Sequence, residues 1–329
     1  MYDDYNETEN DIWDDEPFTE RMSLQDVIRV LQQEQDRPPG EDLLYGLSNL
    51  SDEDANALWP VWQKLGTDYK LILMQMLADA VESDFQLDYS SIAFWGMDDE
   101  DAEVRRAAIE ALGEDESPEA LERLLRIGRY DQAVNVRAEA LGALGRFVLL
   151  GELGRLSASK AQEVQDYVLA AYSNAQEASL VRQRALESIS NCTRDDITSL
   201  IQQAYAQDDL SWRRSALVAM GKTADETWTT IVLQELDSQD EDMRREAVRA
   251  AGELQLKPAV LRLAEILHED ERELREVAAW SLGEIGGKQA LRALKQAAKR
   301  AERDEDDELL EIIEDAIGNA SLMGGSWLA

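Results

Sequence analysis

Apolar residues recur along this chain at steps of three and four, the spacing that lines one face of an α-helix. Leu24, Val27, Ile28 and Leu31 share such a face and predict a helix over about 23–35, which the stretch RPPGED at 37–42 breaks. Ser51 can cap a second helix bearing Leu58, Trp59, Val61, Trp62 and Leu65. Pro60 predicts a kink in it, and Gly66 its stop. Residues 68–82 read as a further helix. From about residue 89 the pattern becomes regular: a helix, a short acidic turn, and a second helix with a fixed internal arrangement.

That arrangement centres on an arginine, met at Arg105, Arg137, Arg182, Arg213, Arg244 and Arg275, in steps of 32, 45, 31, 31 and 31 residues. An apolar residue precedes each one: Val104, Val136, Val181, Trp212, Met243 and Leu274. Alanine follows at +3 every time, a small residue at +6, and glycine at +8 except at Ser190. Self-similarity at this period is the mark of a stacked repeat array. The glycine suits a helix end. Asp101, Asp209, Asp240 and Asp270 stand where they can cap the second helices, as Ser117-Pro118 can cap a first helix, and Pro258 plays the same role later. The long step holds an insertion at 147–160 that lengthens a helix or loop.

A helical projection puts +3 at the core and +1 and +5 on the opposite, exposed side. Those positions read Arg106/Glu110, Ala138/Gly142, Gln183/Glu187, Arg214/Val218, Arg245/Arg249 and Glu276/Trp280. Arg214, Arg245, Arg249 and Trp280 therefore form a candidate binding cluster, since exposed Arg and Trp are enriched in hot spots. The competing reading pairs these arginines with nearby acids such as Glu246 and tucks Trp280 into a groove. The six motif arginines read as structural.

The motif V-R-x-x-A-x-x-A-L-G, as in Val104-Arg105 through Leu112-Gly113, resembles the second helix of a HEAT repeat. The short period is similar to the subtype named for phycobilin lyases. The resemblance covers about 89–317 well and 51–82 weakly. It implies an all-α, right-handed solenoid of about seven to eight helix pairs, with second helices on the concave face and the motif arginines paired with turn aspartates in a ladder between neighbouring repeats. Four segments are expected: a disordered acidic tail at 1–20, N-terminal helices and a degenerate capping repeat at 21–88, the array at 89–317, and a flexible tail at 318–329 that includes Trp327.

Charge narrows the function. The net charge is −36, and residues 1–100 hold 25 acids against 5 bases. Such a chain opposes phosphate-backbone binding and favours a basic protein partner. Residues 1–20 carry nine acids and no Lys or Arg, with Trp13 and Phe18 among the apolar residues able to contact a partner. No signal peptide or membrane span is expected. The lone thiol of Cys192 fits a reducing, cytoplasmic setting and reads as packed rather than reactive. His268 is the only histidine, so neither a His-rich di-iron centre nor a zinc site can be assembled, and no catalytic residue, cofactor or metal is expected. The expected function is a non-catalytic scaffold or adaptor. The alternatives are a chromophore attachment factor of the phycobilin-lyase kind and a structural subunit of a larger complex.

Overall fold

A computed structural model describes residues 21–324 apart from 34–36, 38, 85 and 270. The expectations for the segment 1–20, with Trp13 and Phe18, for the cap Asp270 and for Trp327 lie outside these described residues. Every regular element among them is helical, and they fall into two compact units divided after Asp115.

The first unit holds α1 (Leu24–Gln33), α2 (Glu41–Leu47), α3 (Asp52–Trp62), α4 (Thr67–Ser83), α5 (Ser90–Gly96) and α6 (Ala102–Ala111). Ser51 caps α3 through its side chain, which accepts from the Asp54 amide. Pro60 lies in the last turn of that helix, where it lacks the amide that would donate to the carbonyl of Asn56. Gly66 stands at the N-cap of α4 and so opens a helix; α3 has already ended at Trp62. The side chain of Asp101 caps α6 by accepting from Glu103 and Val104. Helix α4 packs against α6, with Leu73, Met74 and Leu77 inside.

In the second unit, first helices α7 (Pro118–Tyr130), α9 (Ala158–Ser173), α11 (Ile197–Tyr205), α13 (Thr229–Glu235), α15 (Val260–Ile266) and α17 (Gly287–Arg303) alternate with second helices. The latter are α8 (Val134–Glu152), α10 (Ser179–Ile189), α12 (Leu210–Lys222), α14 (Glu241–Glu253), α16 (Arg272–Ile285) and α18 (Asp307–Gly324). Each first helix packs on the second helix that follows it, and each second helix packs on the next second helix. The insertion lengthens α8 to 19 residues and adds the turn before α9. Pro258 sits in a 3₁₀ turn, Lys257–Ala259, ahead of α15, so it opens that tighter turn and not the α-helix itself. Helix α18 continues past residue 317 to Gly324, through ground the sequence suggested was a flexible tail. Ala316 and Ala320 are buried, which gives those last turns a packed face.

The +3 alanines form the centre of the core: Ala108, Ala140, Ala185, Ala216, Ala247 and Ala278 are all fully buried. The glycine at +8 corrects one expectation. Gly113 does end its helix in the left-handed region, at φ 53°. Gly145, Gly221, Gly252 and Gly283, by contrast, lie inside or near the end of second helices and serve close packing. A Cβ on Gly252 would stand 2.8 Å from the Cα of Ser281, the small +6 residue of the next repeat. Gly145 faces Ser188 and Gly221 faces Ala250 in the same way. Two absent or shortened side chains thus let neighbouring helices approach, and the serines use the gap: Ser188 donates to Leu141 O at 2.6 Å and Ser281 to Val248 O at 2.8 Å.

Candidate protein interaction surface

The motif arginines hold repeats together from inside. Arg105 donates to the carbonyls of Asp99 and Glu100, Arg137 to those of Asp131 and Gln132, and Arg244 to that of Ser238. These carbonyls close the turn that follows each first helix, where unpaired oxygens collect and a cation is favoured. The other end of the guanidinium reaches an acid of the following repeat. Arg137 meets Glu177 at 2.7 Å, Arg213 meets Glu235 at 2.8 Å, Arg244 meets Glu271 at 3.2 Å, and Arg275 meets Asp306 at 4.0 Å. These pairs link neighbouring repeats as the resemblance implies, but three of the four acids are glutamates and only Asp306 is an aspartate of the kind expected. Hydrogen bonding from Arg137 holds the Glu177 carboxyl below its usual range.

Arg182 departs from the pattern. Its Nε donates to Tyr172 O at 2.9 Å, and its guanidinium lies 5.2 Å from the Trp212 ring and 5.9 Å from that of Tyr172. The turn acid that would complete this rung, Asp209, is occupied capping α12 through Ser211.

The lining positions are less open than the projection suggested. Ala138, Gln183 and Glu187 are buried, because flanking second helices close over them. Gln183 donates to Ser211 Oγ at 2.7 Å, and Glu187 accepts from Ser215 Oγ and from Arg184 at 2.7 Å, so α10 and α12 share a satisfied polar layer. Arg214 pairs with Asp242; Arg245 pairs with Asp242 and with Glu273 at 2.8 Å. These two arginines are therefore largely spent within the array. Arg249 remains half exposed, 3.9 Å from Glu246, and Trp280 keeps 38% of its surface in solvent. They occupy the same +5 register on neighbouring helices α14 and α16.

Two carboxyls beside them are under strain. Burial pushes both Glu246 and Glu253 above the ordinary glutamate range. Glu253 rests against Gly221, leaving no room for a Cβ there. A raised folded pKa means that stability is fullest below the unfolded value and falls as pH rises through the folded one. Glu253→Gln accordingly stabilises the protein at pH 7, by up to about 1 kcal/mol. Urea unfolding at two pH values checks this: the gain over wild type should shrink towards about pH 4, where both states protonate the carboxyl.

In the first unit, a groove of about 410 Å³ lies between α2, α4 and the turn after α4. Leu44, Tyr45, Met76 and Leu87 line it, with Asp79 and Asp84 at its polar edge. Tyr45 is exposed, and Trp59 is exposed against Trp95, their rings 5.4 Å apart. The sequence reading missed this groove. The available signal was the unusual aromatic load of 45–95 among acids.

His268 is exposed, its Nδ1 3.1 Å from an Arg300 nitrogen. Among the described residues no three His, Cys, Asp or Glu side chains group as metal ligands. Among them too, no helix is long and apolar enough to cross a membrane. Cys192 is buried just beyond α10, its Sγ donating to Ile189 O at 3.1 Å, and burial pushes the thiol up to about 11.

A family model described as HEAT repeats matches residues 92–190 and 229–314. No curated protein matches. Among solved structures, the E. coli protein YIBA is 18% identical, with a TM-score of 0.40 over 78% of this chain and 98% of that one. Yeast importin-beta (Kap95p) is 12% identical, with a TM-score of 0.44 over 94% of this chain and 48% of that one. Human deoxyhypusine hydroxylase is 18% identical, with a TM-score of 0.36 over 91% and 96%. These matches lend no support to chromophore attachment.

Proposed function

The chain belongs to the HEAT-repeat family, and from that membership we propose that it acts as a non-catalytic scaffold for a basic protein partner. The observation that carries this reading is the groove of the first unit: an apolar floor with Asp79 and Asp84 at its edge, in a stretch where acids outnumber bases five to one. Such a site suits a segment that sets an aliphatic side chain between Tyr45 and Met76 and a lysine or arginine beside the carboxylates. The surrounding acid surplus speeds encounter with a cation-rich surface and makes it salt-sensitive. Arg249 and Trp280 offer a second contact, the indole supplying apolar area and the guanidinium a hydrogen-bonding fork. A cytoplasmic setting fits the single, buried Cys192.

Affinity capture on the full-length chain tests this. Proteins retained at low salt should be basic, should elute as salt rises, and should be lost from an Asp79→Asn/Asp84→Asn variant. Equal capture by that variant, or retention of acidic proteins alone, would sink the assignment.

A further inference from the structure

We propose that the outer face of α17 binds an extended acidic peptide segment of a partner protein, opposite in charge to the partner that suits the groove of the first unit. Helix α17 carries six bases and one acid, Glu302, in a chain whose net charge is −36. Lys288, Arg292, Lys295, Lys299 and Arg303 recur at steps of four, three, four and four, which places all five on one face. All five are exposed. The opposite face, with Ala290, Leu294, Ala297 and Ala301, is buried. From Lys288 to Arg303 the strip runs about 22 Å at the helical rise.

Cations on earlier first helices have partners. Arg129 of α7 meets Glu163 at 3.5 Å, and Lys160 of α9 meets Glu122 and, at 3.0 Å, Glu163. Arg262 of α15 meets Asp237 at 2.8 Å and Glu269 at 3.0 Å. Along α17, by contrast, Lys288, Arg292, Lys295 and Lys299 enter no ion pair among the described residues, and Arg303 meets only its neighbour Asp304, at 3.6 Å. Packing does not ask for this row, since all five side chains lie opposite the buried face. Helix stability does not ask for it either. Like charges three and four apart weaken a helix. Arg303 suits the C-terminal end of the dipole, but Lys288 in the first turn opposes it with no acid there to offset it. A local rule broken without a packing reason points to binding.

The surroundings select the anion. Both neighbouring helices, α15 and α18, pack against α17 and expose carboxylates: Glu265 on α15, and Asp307, Glu308, Glu311, Glu314 and Asp315 on α18. A nucleic-acid duplex or an anionic bilayer, broad enough to overlap a neighbour, meets those charges. A single nucleic-acid strand is held largely by stacking, and none of α15, α17 and α18 bears an aromatic side chain. The exposed apolar group nearby is aliphatic: Leu261 on α15 is 71% exposed. An extended peptide meets all three conditions. It is one chain wide and needs no stacking platform, and an apolar residue among its acids can rest on Leu261. Alternate carboxylates on it stand about 7 Å apart. Successive cations of the strip stand about 4.5–6 Å apart along the axis, so the two rows keep pace over about seven peptide residues. At an ionic strength of about 0.15 M, charges beyond about 8 Å are largely screened, so the five local cations outweigh the distant acid surplus.

Fluorescence anisotropy on the full-length chain tests this. The probe is a labelled peptide of about twelve residues, alternating glutamate and serine with one central leucine, long enough to overhang the strip. It should bind, and raising salt from about 0.1 M to about 0.5 M should weaken it several-fold. Lys295→Glu with Lys299→Glu should weaken it about tenfold or more, and Lys295→Gln with Lys299→Gln by less. Circular dichroism and melting of both variants should stay near wild type, since these side chains face solvent. Asp79→Asn/Asp84→Asn should leave peptide binding unchanged, so failure of the groove assignment and failure of this one are read separately. No binding by the wild-type chain, or equal binding by the charge-reversed variant, overturns the proposal. So does a single-stranded DNA oligomer of matching charge that competes better than the peptide and is lost with the same two lysines, which would make the strip a phosphate surface.

Discussion

Trp228→Ala should lower the unfolding free energy by about 3–5 kcal/mol, the largest loss expected of a single substitution in the array. Trp228 forms the 3₁₀ turn Glu226–Trp228 at the head of α13, is 2% exposed, and heads the fully buried side chains by volume. Its Nε1 has no hydrogen-bond partner, so the change removes packing alone and leaves no polar group stranded. Trp228 heads α13, which packs on the second helix α14, and α14 is pinned on both sides by α12 and α16, so the surroundings cannot collapse far into the void. Repeats contact only their neighbours, so the damage should be local. Hydrogen exchange ought to quicken first in α12 to α14, with α8 and α18 following only when the whole unit opens. Uniform acceleration across the second unit would show that it unfolds as one block.

Glu235→Ala should cost about 3 kcal/mol, and Glu235→Gln markedly less. The carboxylate is 5% exposed at the end of α13, accepting from Tyr205 and from Arg213 at 2.8 Å. Removing it leaves Arg213 beside the Tyr205 ring, 5.1 Å away, with no counter-charge, and deprives the Tyr205 hydroxyl of its acceptor. Glutamine retains one acceptor oxygen at nearly the same place. Arg213 is about one-third exposed, so water recovers part of the loss, which is why the figure stays at the low end for a broken buried pair. Urea denaturation of the three proteins decides the matter. If alanine and glutamine variants fall equally, charge and not acceptor geometry governs this rung.

The fold was written plainly in the sequence because its signal repeats. One alanine at +3 says little, whereas six at the same offset define a core stripe, and all six are buried. The caps at Ser51, Asp101, Ser117, Asp209 and Asp240 were equally legible, since capping is decided within three residues of chain. What failed were judgements that depend on a neighbour distant in sequence. Glycine at +8 suits both a helix end and a close crossing, and only the approach of Ser281 to Gly252 distinguishes them. Gln183 and Glu187 point outward on the wheel, yet the flanking helices bury them and Ser211 and Ser215 on the next helix satisfy them. Arg214 and Arg245 resembled a free basic cluster until Asp242 and Glu273 came within reach. The groove at Tyr45 needs α2 and α4 together, and the residues between them carry no period to announce it.

Cys192 gives the protein a native sensor of breathing motions. A thiol pushed up to about 11 and shielded at the end of α10 presents almost no thiolate to an alkylating reagent at neutral pH. Labelling therefore waits until the centre of the second unit parts, and as the chain's only sulfhydryl it reports that event against no background. The rate of modification, followed with and without a bound partner, converts directly into how firmly the partner clamps the middle of the stack, with no engineered probe in the protein.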